Sequence, residues 1–103
     1  MKRIALLCAL MAVGLSAQAG PVEDAMNKAG CMACHAKDKK MVGPAFKDVA
    51  AKYKGQGDAT AKLSEKVRKG GAGVWGPIPM PPHNADKIGD ADLKAAVESI
   101  LKS

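Results

Sequence analysis

A chain of 103 residues with a formal net charge of +6 and only one Phe, one Tyr and one Trp has room for one domain. It lacks the dense basic stripe with stacking aromatics that nucleic-acid binding requires. Its three cysteines are too few for the disulfide framework of a small secreted scaffold.

Residues 1–19 read as a cleaved secretory signal peptide. Lys2 and Arg3 form a positive start, Ile4 to Leu15 an apolar run too short to span a bilayer, and Ala17-Gln18-Ala19 a small-x-small cleavage site. Cleavage removes Cys8 and predicts a periplasmic protein without a membrane anchor. The remaining domain, residues 20–103, carries 14 basic and 10 acidic residues, a formal charge of +4. A domain of this size buries only about 60% of its unfolded surface, so it needs a staple.

Four amphipathic segments predict helices. In the first, Val22, Ala25, Met26 and Ala29 share a face, and Gly30 ends it. Directly after it comes Cys31-Met32-Ala33-Cys34-His35, the attachment signal for a c-type haem. The two thiols are spaced to reach one edge of the ring, and His35 is carried beneath it as an iron ligand. A dithiol redox pair would want a strand–helix context, of which the pattern shows almost none. A zinc knuckle would want a second Cys/His pair, and His83 is the only other histidine. One covalently bound haem c, on Cys31 and Cys34, is the expected cofactor and the staple.

The second helix is expected over Phe46, Val49, Ala50 and Tyr53, with Gly55 as its stop. The third carries Ala59, Leu63 and Val67 inward, capped by Asp58 and ended by Gly70-Gly71. The fourth presents Leu93, Ala96, Val97, Ile100 and Leu101, capped by Asp90, with Lys102 near its C-terminus. These stripes read as core that keeps water from the haem.

Between the third and fourth helices lies Gly73-Val74-Trp75-Gly76-Pro77-Ile78-Pro79-Met80-Pro81-Pro82. Four prolines in six residues fix an extended backbone, with Met80 held in its middle. Met80 is the expected second axial ligand. Met26 and Met32 sit on or before the motif, and Met41 follows His35 too closely to wrap round the ring. His83 is the rival ligand. A filled sixth position suggests electron transfer, whereas a labile one would suggest acting on or sensing a small molecule. No acid–base pair or nucleophile is visible, and the expected role is a carrier, not an enzyme.

Taken together, Gly30-Cys31-Met32-Ala33-Cys34-His35, the run Met41 to Ala50 and the run Gly73 to Pro82 resemble the small bacterial class I cytochromes c, of the five-fifty-one type of denitrifying bacteria. The resemblance implies an all-α class I cytochrome c fold, four to five short helices wrapped round one covalently attached haem, with His35 and Met80 as axial ligands. It also implies that the Pro44 carbonyl accepts the His35 ring N–H and that the Trp75 indole reaches a haem propionate. Lys66 stands where some relatives place a propionate-binding arginine, and would act as a point charge. His83 replaces an Asn or Gln usual beside the methionine, which bears on the reduction potential. Met26 replaces an aromatic and the last helix has none, so a softer crossing of first and last helices is expected. The stretch Asn84 to Gly89 departs from the family pattern.

By the same resemblance, donors would be quinol-oxidising complexes or other cytochromes, and acceptors nitrite reductase, cytochrome c peroxidase or a terminal oxidase. The protein is expected to act as a monomer. Lys37, Lys39, Lys40, Lys47, Lys52 and Lys54 read as solvated charges that, if grouped on one face, would steer it to acidic partners.

Overall fold

The computed structural model describes residues 20–103; the signal peptide expected over 1–19, with Cys8, lies outside the described residues. Helix α1 runs Pro21–Ala29. Proline at its first position loses only an N–H that would have had no helical partner, and its φ is already helical. Glu23 and Asp24 stand in the first turn and Lys28 in the last, as the helix dipole favours. Gly30 then adopts φ +84° and returns its N–H to Asn27 and Met26 carbonyls. That left-handed step suits glycine, and it turns the chain straight into a 3₁₀ turn, Cys31–Ala33.

Helix α2 spans Phe46–Tyr53, α3 Ala59–Lys69 and α4 Asp90–Leu101. The sequence stripes are the faces that pack. Met26, Ala29, Phe46, Val49, Leu63 and Leu93 are buried, with Ala96 and Val97 beside them, while Val22, Tyr53, Val67 and Ile100 cover the edges. Helix α4 is the hub, packed on α1, α2 and α3, and its Val97 is 1% exposed. Burying each such side chain stabilises the fold by roughly 1.5–3 kcal/mol. Met26 is fully within this core.

Two expected caps act differently. Asp58 holds the cap position of α3, but at φ −101°, ψ 9° and with no side-chain cap bond. A capping side chain reaches the first helical N–H groups from extended backbone; from this conformation Asp58 instead pairs with Lys62 at 3.3 Å. At α4 the cap position belongs to Gly89, and Asp90 is the first helical residue. There its charge sits well for the dipole, and its carboxylate meets Arg68 at 2.6 Å.

The stretch Asn84 to Gly89 folds as a turn in which the Asn84 carbonyl accepts N–H groups from Lys87 and Ile88. The turn drops Ile88 into the core at 4% exposed, a contact the helical periodicities do not reveal. Among the described residues the one β-type pairing is an isolated antiparallel bridge, Gly71 with Met80. No helix among them is long and apolar enough to cross a membrane.

Candidate functional site

A cleft lies between the motif, α2, α3, α4 and the proline-rich loop. Its walls are chiefly apolar side chains, among them Val42, Phe46, Leu63, Val67, Ile78 and Val97. Cys31, Cys34, His35, Pro44, Lys66, Trp75 and Met80 all line it. The structure therefore brings together every site residue named from the sequence.

The first wall is built from the 3₁₀ turn onward. The Cys31 carbonyl accepts N–H bonds from Cys34 at 3.2 Å and His35 at 3.0 Å, so the two thiols and the imidazole leave one tight backbone knot. The thiols are free of a disulfide and half-buried. Burial pushes the Cys31 thiol above its ordinary pKa, a backbone hydrogen bond partly opposing it. The segment after His35 is tied back by Gly43 N–H to the Cys34 carbonyl at 2.8 Å and Phe46 N–H to the Ala36 carbonyl at 2.9 Å.

These ties orient the histidine. Its Nδ1 lies 2.8 Å from the Pro44 carbonyl oxygen. A carbonyl only accepts, so Nδ1 carries the proton and the lone pair is left on Nε2, the state a metal ligand requires. Phe46 stacks on the ring with centroids 5.2 Å apart. Gly43 lies so close that a β-carbon there would sit 2.9 Å from Nδ1 and 3.0 Å from Nε2.

The opposing loop is held just as tightly. Pro79, Pro81 and Pro82 have no N–H, so Met80 alone in that run can donate from its backbone. It donates to the Gly71 carbonyl at 2.9 Å, and Gly71 N–H returns a bond to the Met80 carbonyl at 3.0 Å. Of Met26, Met32, Met41 and Met80, only Met80 lines the cleft. His83 is buried at 6% exposed, does not line the cleft, and bonds through Nδ1 to the Pro81 carbonyl at 2.8 Å.

Trp75 is 40% exposed, and the Lys52 ammonium stands 5.5 Å from its ring centroid, close enough for a cation–π contact. Lys66 and Lys40 also line the cleft, while Lys37, Lys39, Lys47 and Lys54 are exposed. Two close approaches had no signal in the sequence. The His35 ring approaches Gly43 and the Met80–Pro82 backbone approaches Gly70, which periodicity cannot report.

The residues present fit a covalently held haem. A broad apolar cleft would take a flat macrocycle, two free thiols stand at its wall, and the adjacent imidazole carries its proton on the nitrogen away from a metal. A zinc knuckle fits less well: among the described residues no three His, Cys, Asp or Glu side chains converge.

Comparison with known proteins agrees with this geometry. The family model described as cytochrome c matches residues 22–102. The chain is 54% identical to cytochrome c-551 of Pseudomonas aeruginosa over 86 residues, 81% of this chain and 83% of that one. It is 47% identical to cytochrome c-552 of Hydrogenobacter thermophilus over 86% of this chain and 88% of that one. The crystal structure of wild-type cytochrome c552 from Nitrosomonas europaea superposes with a TM-score of 0.69 at 46% identity, covering 78% of this chain and 96% of that one. Matches of this extent, over a fold and a cysteine pair that agree with them, make the chain a member of the cytochrome c family, a small class I protein of the 551 type carrying one haem c on Cys31 and Cys34.

Proposed function

We propose that this protein is a soluble periplasmic one-electron carrier, not an enzyme, whose haem iron is bound axially by His35 and Met80. The bound haem supplies a one-electron couple at iron. The protein residues hold its surroundings still and dry.

The observation that carries this reading is the pairing on one apolar cleft of two independently anchored residues, His35 through its ring and Met80 through its backbone. His35 is fixed through Nδ1 by the Pro44 carbonyl. Met80 is fixed on both sides of its own peptide by the Gly71 bridge. Ligands held this firmly need not move when the iron changes oxidation state, and apolar walls leave little solvent to reorient. Histidine with methionine also favours a higher potential than two histidines. The position of His83, outside the cleft lining with its Nδ1 already engaged, supports methionine over histidine as the second ligand.

Lys40 and Lys66 at the cleft, Lys52 at its rim and the exposed Val42, Trp75 and Ile78 support a docking role for the cleft mouth. Acidic redox proteins are the partners such a rim would favour, in the expected donor and acceptor classes: quinol-oxidising complexes or other cytochromes on one side, nitrite reductase, cytochrome c peroxidase or a terminal oxidase on the other. Association should weaken as salt rises.

The test is an absorption spectrum of the exported protein, oxidised and reduced. A low-spin c-type spectrum with the weak sulfur-to-ferric-iron charge-transfer band is the expected result. A low-spin spectrum without that band would replace Met80 as ligand. A high-spin spectrum would mean a labile sixth position and small-molecule chemistry instead.

A further inference from the structure

Helix α3 does more than cover the cleft, because one of its side chains reaches the chain on the far side of the methionine loop. The Arg68 guanidinium donates through Nη1 to the His83 carbonyl at 3.2 Å and the Ile88 carbonyl at 2.7 Å. Its Nη2 meets Asp90 at 2.6 Å. Arg68 is 23% exposed and Asp90 96% exposed, so the two carbonyls are the sheltered partners and the carboxylate the solvated one.

We propose that Arg68 is a positioning residue for Met80. This rests on Met80 being the axial ligand. Met80 itself is tied through both its N–H and its carbonyl by the Gly71 bridge. On its C-terminal side Pro81 and Pro82 have no N–H to give. The Pro81 carbonyl is bonded within the loop by the His83 ring, and the next ties to α3 are His83 N–H to the Val67 carbonyl at 2.9 Å and the His83 carbonyl to Arg68. Two consecutive prolines form a stiff rod, so a shift at His83 is passed to Met80 instead of being absorbed between them. Arg68 joins both ends of the 83–88 turn to α3 and thereby fixes the rod's far end. A lysine has one nitrogen and no fork, so it cannot span two carbonyls and a carboxylate together.

The experiment is a titration of the oxidised holoprotein with imidazole, which competes with Met80 for iron, read by loss of the sulfur-to-iron band. Arg68→Ala and Arg68→Lys should each raise apparent imidazole affinity about tenfold, the change that about 1.4 kcal/mol produces. Asp90→Asn should change it by less than about twofold, since an exposed ion pair contributes little. Met26→Ala, a core change in α1 away from the cleft, should lower the denaturation midpoint and leave imidazole affinity unchanged. Arg68 variants that bind imidazole like the unmodified protein would overturn the proposal. So would a rise in Met26→Ala matching theirs, because the effect would then be general loosening, or an Asp90→Asn rise as large as theirs. Absence of the sulfur-to-iron band in the unmodified protein would first remove the Met80 reading, and the positioning role with it; the starting spectrum separates the two failures.

Discussion

Gly70 and Met80 touch backbone to backbone: a β-carbon on Gly70 would overlap the Met80 carbonyl oxygen and lie 2.8 Å from the Pro82 nitrogen. Helix α3 ends where it does because this approach has to follow. Gly70 closes the helix with its N–H on the Lys66 carbonyl at 2.7 Å and then takes φ +66°, ψ −158°, a region that side chains other than glycine almost never enter. The end of one helix and the seat of the candidate iron ligand are thus a single structural feature.

Gly70→Ala should therefore be among the most damaging changes outside the haem-bearing motif. The backbone conformation alone costs about 1–3 kcal/mol, and relieving the overlap requires the Met80 peptide to move. The expected outcome is a holoprotein destabilised by roughly 3 kcal/mol or more with a weakened sulfur-to-iron band. Chemical denaturation and an absorption spectrum of the oxidised form check the two halves separately. A variant of unchanged stability and spectrum would refute the coupling of helix end to ligand seat.

Gly43 plays the matching part on the other wall. A β-carbon there would sit 2.5 Å from Cε1 of His35, while the Pro44 carbonyl holds Nδ1 from the next residue. Gly43→Ala should tilt the imidazole and strain its bond to Pro44, at a cost of about 1–3 kcal/mol for an overpacked site. The ring-proton shifts of His35 in the reduced protein should move well beyond those of residues on α1. Unmoved His35 resonances would show that the loop relaxes instead of the ring.

How much of this was legible in the sequence follows from how local each signal is. The faces of α1 to α4 repeat at helical spacing, so Met26, Phe46, Leu63 and Leu93 announced the core they form. The cysteine pair with its histidine, and methionine among prolines, are contiguous signals. Arg68 was invisible because its partners lie 15, 20 and 22 residues onward and it reads locally as one more basic residue near a helix end. Ile88, a lone apolar residue in a polar stretch, has no periodicity to report it. The caps at Asp58 and Asp90 failed for a finer reason: residue type suggests a cap, but φ and ψ decide whether the side chain is aimed at the helix.

Met80→Ala separates attachment from ligation. The thioethers on Cys31 and Cys34 do not depend on the loop, so covalent haem should be retained at near-normal yield. Loss of the sulfur ligand should remove the charge-transfer band and lower the reduction potential. Redox titration and the oxidised spectrum check this; an unchanged potential would exclude Met80 as the ligand.

Trp75 sits at the cleft mouth, 40% exposed, with the Lys52 ammonium over its ring. Its burial is too slight for a core role, so Trp75→Phe should cost little stability. Its indole N–H is the group that would offset the charge of a haem propionate. Phenylalanine keeps a ring for Lys52 to cover but has no donor. The propionate would then carry its full negative charge, which favours ferric over ferrous iron, and the potential should fall. A tenfold change in a one-electron equilibrium is about 59 mV, and one neutral hydrogen bond contributes roughly 0.5–1.5 kcal/mol, so the expected drop is tens of millivolts. Voltammetry of the two holoproteins measures it directly. An equal potential with a markedly lower denaturation midpoint would reverse the assignment and make Trp75 a packing residue.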